Sequence, residues 1–246
     1  MSGHSKWATI KHAKGAADAK RGKIFTKLIK EISIAARMGG GDPEGNPKLR
    51  SAILKARGAN MPKDNIDRAI KKGTGELEGV SYEELTYEAY APGGVALLIE
   101  VLTDNNNRAA ADVRSILTKA GGQLATSGAV SRLFKRQGVI TLDGEKYTED
   151  QVMEIALDAG AEDIVAAEGI IEVNTAPKDF EAVVSALQEK EIETLSAEIS
   201  MVAEAEVELD KDAAVKAMKL IEKLEDNDDV QNVYSNISLP EGFEGE

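Results

Sequence analysis

The residue types with the most capacity for chemistry crowd into the first thirty positions: Lys6, Trp7, Lys11, His12, Lys14, Lys20, Arg21, Lys23, Lys27 and Lys30. Lysine and arginine displace counterions from phosphates, so a run of this kind favours salt-sensitive binding to a polyanion. Trp7 is the single tryptophan. Its indole offers either a stacking surface for an exposed base or a peg that docks the basic arm on its own domain. Two further basic segments follow, Lys48, Arg50, Lys55 and Arg57, then Lys63, Arg68, Lys71 and Lys72. Lys63, Lys71 and Lys72 join the N-terminal set as expected nucleic-acid-binding residues.

Other chemistries find little footing. The absence of cysteine removes disulfides, thiolate nucleophiles and zinc ribbons together, and suits a reducing cytoplasm. His4 and His12 are the only histidines, and neither has a cysteine or nearby carboxylate partner for a zinc site. A chain starting Ser-Gly-His after loss of Met1 could wrap Cu²⁺ or Ni²⁺, but any protein with that start has the same capacity. The glycine clusters at 39–41, 73–75 and 121–122 match neither the P-loop nor the dinucleotide pattern, and read as turns and caps. Acidic residues such as Glu204, Glu206 and Glu208 alternate along the chain and read as solvated faces. The expectation is a non-enzymatic protein with no catalytic residue, no metal and no cofactor.

Net charge sharpens the first reading. The whole chain carries −13, but residues 1–72 hold 17 Lys and Arg against 6 Asp and Glu, a net +11. The rest holds 13 basic against 37 acidic residues, a net −24. Such asymmetry points to a polyanion-binding module joined to an acidic body, which could itself contact other proteins. The opening residues lack the apolar core of a secretory signal, and no apolar run approaches the roughly 20 residues of a membrane span. A cytoplasmic protein with no membrane partner is expected.

The elements that must position these residues follow from periodicity. Ala16–Arg37 reads as one helix, with Ile24, Phe25, Leu28, Ile29, Ile32, Ala35 and Ala36 on one face and Lys20, Lys23, Lys27 and Lys30 nearly opposite. A second helix is expected over Pro47–Arg57, and a third from near Asn60 to Gly73 with Pro62 in its first turn. Strands Thr86–Ala91 and Val95–Leu102 form a hairpin through Pro92-Gly93-Gly94, followed by a helix over Asn107–Ala120 capped by one of Asn105 to Asn107. Residues 138–204 read β-α-β-β-α-β, the ferredoxin-like order. Their strands are Val139–Leu142, Ile164–Ala167, Ile170–Asn174 and Thr194–Ala203, and their helices Glu149–Asp158 and Lys178–Glu189. Helix Asp212–Glu225 and strand Val230–Ile237 then complete the ββαβ set of residues 84–135.

The expected fold class is α+β with three domains: a basic all-helical domain over 1–79, a discontinuous αβ middle domain over 80–136 plus 205–246, and an inserted ferredoxin-like domain over 137–204. The central strands of that inserted unit carry no aromatics, so it is not an RNA platform of the RNA-recognition-motif kind.

Several motifs resemble the YebC family. They are Gly3-His4-Ser5-Lys6-Trp7, Ile10-Lys11-His12, the run Asp18 to Leu28, Asn60-Met61-Pro62-Lys63-Asp64-Asn65-Ile66 and Ala69 to Gly75. Tyr87-Glu88, Pro92-Gly93-Gly94-Val95, Leu102-Thr103-Asp104-Asn105 and Asn107-Arg108 continue the likeness through the chain. Ala13 and Gly15 depart from the pattern, standing where many relatives carry a further basic residue and an alanine. The resemblance implies a three-domain αβ protein with an all-helical N-terminal domain. It also implies a DNA-binding transcriptional regulator, or, as in mitochondrial relatives, a translation factor on ribosomal RNA or tRNA that relieves stalling at proline-rich stretches. A third expectation, from charge alone, is a protein-interaction scaffold whose acidic body is the working surface.

Overall fold

The computed structural model describes residues 18–167, 169–240 and 243, with side chains from residue 22 onward. Three helices come first: α1 (Asp18–Gly39), α2 (Pro47–Gly58) and α3 (Lys63–Thr74). They close on a small aliphatic core of Leu28, Ile32, Leu49, Ile53, Met61 and Ile66 with several alanines. One side chain organises the α1–α2 corner. Asn46 Oδ1 accepts from the Leu49 amide at 3.2 Å, starting α2, while its Nδ2 donates to Ala35 O at 2.8 Å and Gly40 O at 2.9 Å, closing α1.

The third helix starts three residues later than the sequence suggests. Asn60 adopts a left-handed φ of 59° after α2, and Pro62, at φ −57° and ψ 140°, stands outside α3 as its N-cap rather than in its first turn. α3 then crosses α1 closely at Gly73, where a Cβ would lie 2.2 Å from Ser33 O.

The rest of the chain builds two four-stranded antiparallel sheets. β1 (Glu83–Tyr90), β2 (Ala96–Thr103), β3 (Gln123–Leu124) and β9 (Val230–Ser235) form one, in the order β3-β1-β2-β9. The β1–β2 turn uses Gly93 and Gly94, both at positive φ, with the Ala91 amide donating to Val95 O at 2.8 Å. Helices α4 (Asn106–Lys119) and α7 (Lys211–Glu225) cover one face around Leu97, Ile99, Val113, Leu117, Leu220 and Val233. Asn105 is the cap of α4, its Oδ1 accepting from the Arg108 amide at 3.0 Å.

The second sheet comprises β4 (Phe134–Asp143), β5 (Ala161–Ala167), β6 (Ile170–Thr175) and β7 (Thr194–Ala203), in the order β5-β6-β4-β7. Helices α5 (Glu149–Asp158) and α6 (Phe180–Glu189) pack on it around Ile140, Leu142, Val173 and Leu187. That order is the ferredoxin-like one. The fold is therefore α+β, a helical region followed by antiparallel sheets, with β9 returning to β2 after the second sheet is complete. A two-stranded parallel pair, β8 (Val207–Glu208) with β10 (Ile237–Ser238), fastens the return.

Two expectations shift. β4 begins at Phe134, five residues before Val139, because Phe134 packs with Ala96, Leu98 and Tyr234 on the back of the first sheet. The strand expected before residue 135 shrinks to the two residues of β3, followed by a loop. Glu88 holds that loop: its carboxylate accepts from the amides of Gly128, Val130 and Ser131.

Candidate nucleic-acid interface

The lysine face of α1 is committed within the molecule. Lys23 Nζ donates to Asp226 O at 3.1 Å and lies 3.4 Å from Asp226 Oδ1. Lys27 Nζ donates to Glu225 O at 2.6 Å. These carbonyls belong to the C-terminal end of α7, where unsatisfied oxygens and the helix dipole both attract cations. Lys23 and Lys27 thus cap another helix.

Lys30 goes further. It is 6% exposed, and its ammonium donates to Asp229 Oδ1 at 2.7 Å, Asp228 O at 2.8 Å and Leu102 O at 3.3 Å, 5.6 Å from the centre of the Tyr82 ring. Arg108 completes the hub, donating to Asp229 Oδ2 from Nε at 3.2 Å and Nη2 at 2.8 Å, and to Asp104 Oδ1 at 2.7 Å. Burial would push the Asp229 carboxyl up, but Lys30 and Arg108 outweigh it and hold the carboxyl below the ordinary range. The expected stripe of Lys23, Lys27 and Lys30 is therefore a seam between the helical region and the first sheet. Lys30 is buried there instead of standing on a solvent-facing stripe.

A different basic surface remains open. Lys48 and Arg57 on α2, with Lys63, Arg68, Lys71 and Lys72 on α3, are exposed. Among the described residues none of these six has a carboxylate within ion-pair distance. Arg68, Lys71 and Lys72 stand at i, i+3 and i+4 and so share one side of α3, while Ile66 and Ala69 face the core. Lys55 differs: burial would lower its pKa, but Glu31, 3.0 Å away, raises it. Arg50 is likewise engaged, donating to Pro43 O at 3.2 Å.

Comparison with known proteins fits this chain end to end. Residues 5–76 match the family model "TACO1/YebC protein N-terminal domain", and residues 82–237 match "TACO1/YebC second and third domain". The chain belongs to the TACO1/YebC family. A family member from Treponema denticola, called a probable transcriptional regulatory protein, is 66% identical over 244 residues, covering 99% of both chains. One from Leptospira biflexa with the same description is 58% identical over 245 residues, again 99% of each. The crystal structure of a conserved hypothetical protein, Aq1575 from Aquifex aeolicus, superposes with a TM-score of 0.82. It is 46% identical, and the match covers 91% of this chain and 93% of that one. The relatives from Treponema denticola and Leptospira biflexa carry the description of probable transcriptional regulatory proteins.

The remaining expected residues divide by location. Lys6, Trp7, Lys11, His12 and Lys14 lie outside the described residues, and the side chains of Lys20 and Arg21 do too. Lys63, Lys71 and Lys72 stand on the open surface of α3. Sequence reasoning missed the hub of Asp229 and Arg108. Its signal was present as an acidic run, Asp226 to Asp229, directly after a helix and able to receive lysines from elsewhere. Among the described residues no group of three His, Cys, Asp or Glu side chains could hold a metal ion, and no helix is long and apolar enough to cross a membrane.

Proposed function

We propose that this protein regulates gene expression by binding nucleic acid through the phosphate backbone, without catalysis, and that the open basic surface of α2 and α3 makes the contact. The observation that carries this reading is the set of six exposed cations without carboxylate partners among the described residues, in a chain of net charge −13. The described cations of the α1 seam are paired or spent as helix caps, whereas these six on α2 and α3 have no carboxylate partner among the described residues. Counterion release makes such a surface bind duplex or single-stranded nucleic acid with a steep salt dependence. The relatives' description as transcriptional regulators makes DNA the first target to examine. Residues 1–79 act as the binding unit, and the acidic remainder, residues 80–136 with 205–246 and the inserted 137–204, carries it in the cytoplasm.

One observation favours a second target. The exposed side of α3 mixes Lys63, Arg68, Lys71 and Lys72 with Asp64 and Asp67, and Asn65 is half-buried. Base-edge readout uses Asn, Gln and Arg poised in a groove. This surface offers one arginine and two repelling carboxylates, which suits recognition of backbone shape, as on ribosomal RNA or tRNA, better than reading of a promoter.

The test is binding of the full chain and its Arg57→Glu/Arg68→Glu/Lys71→Glu variant to duplex DNA and to a ribosomal RNA fragment over a salt series. The variant is expected to bind both more weakly, with a slope of log K against log salt shallower by about 0.9 for each duplex phosphate it no longer neutralises. Unchanged affinity and slope would remove this surface from the binding reaction. Co-sedimentation with ribosomal particles, abolished in the same variant, would decide for the RNA target.

A further inference from the structure

The C-terminal halves of α1 and α3 and the segment 79–82 enclose an open cleft of about 230 Å³. Its charged lining residues are Arg37 and Lys72, and no Asp or Glu lines it although the chain has 43 of them. Local sequence shapes this cleft. Gly79 lies against the aliphatic stem of Lys72, where a Cβ would meet Lys72 Cβ at 3.1 Å and Cγ at 3.3 Å, so glycine lets the segment close on that stem. Arg37 Nη1 donates to Ser81 Oγ and, at 3.3 Å, to Tyr82 O. That fixes the guanidinium to the cleft wall and leaves its Nε and Nη2 without an acceptor among the described residues. Because Ser81 Oγ accepts from Arg37, its own proton is left to donate.

Two helices end here, and their terminal carbonyls would repel an anion if left bare. They are covered. Gly75 N donates to Lys72 O at 3.4 Å, Leu77 N to Lys71 O at 3.1 Å, and Thr74 Oγ1 to Lys71 O at 3.2 Å. On α1, Asn46 Nδ2 covers Ala35 O, and Gly40 N covers Ala36 O at 2.9 Å. The Ser33 hydroxyl is also spent, donating to Ala69 O at 3.1 Å. The cleft's charged lining is then two cations, with the Ser81 hydroxyl beside them, a donor set suited to an oxyanion. One carboxylate is tied to its lining: Glu76 Oε1 lies 3.2 Å from Thr74 Oγ1 and shares its one proton with Lys71 O.

We propose that this cleft binds a phosphate group, held by the Arg37 guanidinium, the Lys72 ammonium and the Ser81 hydroxyl. The site deepens the nucleic-acid reading and rests on it, since Lys72 also borders the open surface of α3. A bound phosphate would tie the helical region to the segment leading into β1. Two sources share this chemistry, a backbone phosphate of nucleic acid and a free phosphomonoester.

The experiment is an amide-resolved NMR titration of the full chain with inorganic phosphate, against chloride at matched ionic strength, in the wild type and in Lys72→Gln, Arg37→Gln and Glu76→Gln. Phosphate should shift amides of residues 73–75 and 79–82 saturably. Lys72→Gln, exposed and without effect on the core, should weaken this about tenfold, the equivalent of one charge-assisted hydrogen bond. Arg37→Gln should weaken it at least as much, and Glu76→Gln should tighten it. Non-saturating shifts, or shifts unaltered in Lys72→Gln, overturn the site. The Arg37→Gln protein, changed in the cleft but not in the six-cation surface, is then assayed with nucleic acid. A parallel loss identifies the backbone phosphate as the source, and retained binding identifies a free phosphomonoester. If phosphate fails to bind while the Arg57, Arg68 and Lys71 surface still binds nucleic acid, the cleft proposal falls and the functional reading stands.

Discussion

Replacing Lys30 with Met isolates the seam between the helical region and the first sheet. Methionine keeps the stem's shape but removes three donors, to Asp229 Oδ1 at 2.7 Å, Asp228 O at 2.8 Å and Leu102 O at 3.3 Å. Removing one partner of a buried ion pair costs about 3–5 kcal/mol when the other charge is stranded. Asp229 is not fully stranded, because Arg108 still donates to its Oδ2. The cost therefore falls at the low end, about 3 kcal/mol. Urea unfolding followed by far-UV circular dichroism reads it as an earlier transition of the helical signal. The second arm is Lys30→Met/Asp229→Asn, which removes the stranded charge and keeps an acceptor for Arg108. It should be more stable than Lys30→Met alone. There is also a pH signature. The folded Asp229 carboxyl lies below its ordinary value, so its stabilisation is complete above the ordinary carboxylate range and is lost as pH falls through the folded pKa. Lys30→Met moves that pKa back toward the unfolded one and flattens the acid limb. If Lys30→Met shifts the transition by under about 1 kcal/mol, or the double variant is no better than the single, the seam is not held by this charge pair.

Two further tests follow from the packing. Glu88→Gln can keep a carbonyl oxygen on the Val130 and Ser131 amides only by turning its NH₂ toward the Gly128 amide, and it loses the charge that attracts all three, at a cost of about 1–3 kcal/mol. Burial raises the Glu88 carboxyl but those three amides pull it below the ordinary range, so its stabilisation disappears as pH falls, and the variant's stability should depend less on pH in acid. Gly73→Ala places a Cβ 2.2 Å from Ser33 O and 2.9 Å from Ala36 Cβ, forcing α1 and α3 apart, whereas Gly58→Ala in α2 meets nothing within 4 Å. Thermal unfolding should show Gly73→Ala destabilised by about 1–3 kcal/mol and Gly58→Ala stabilised by about 0.5–1 kcal/mol; equal effects would refute the crossing argument.

Much of the architecture was legible because it rests on local signals. The period of α1, the Gly93-Gly94 hairpin, the Asn105 cap and the ferredoxin-like element order all appear in short windows of sequence. What failed depends on distant partners. β4 starts at Phe134 because that ring packs against Leu98 and Tyr234, and β3 stays short because Glu88 holds the following loop by its amides. α3 starts late through Asn60, whose left-handed turn a propensity argument cannot separate from one more helical residue.

The lysine stripe of α1 shows where a helical wheel stops being informative. Periodicity identifies the side of a helix that avoids its own core, and that side can face solvent or another part of the chain. Lys23, Lys27 and Lys30 recur at spacings of four and three, which sets their ammonium groups in a row, and the Glu225 to Asp229 segment supplies carbonyls and carboxylates to meet them. That segment is chemically a stand-in for a phosphate chain: anionic and rich in acceptors. The consequence is selective. A polyanion that would compete for α1 must displace groups already in contact, including a buried pair, whereas one that binds α2 and α3 displaces only water and counterions. Under the proposed function, nucleic acid would meet the α2–α3 side first, because Glu225 to Asp229 already occupy Lys23, Lys27 and Lys30.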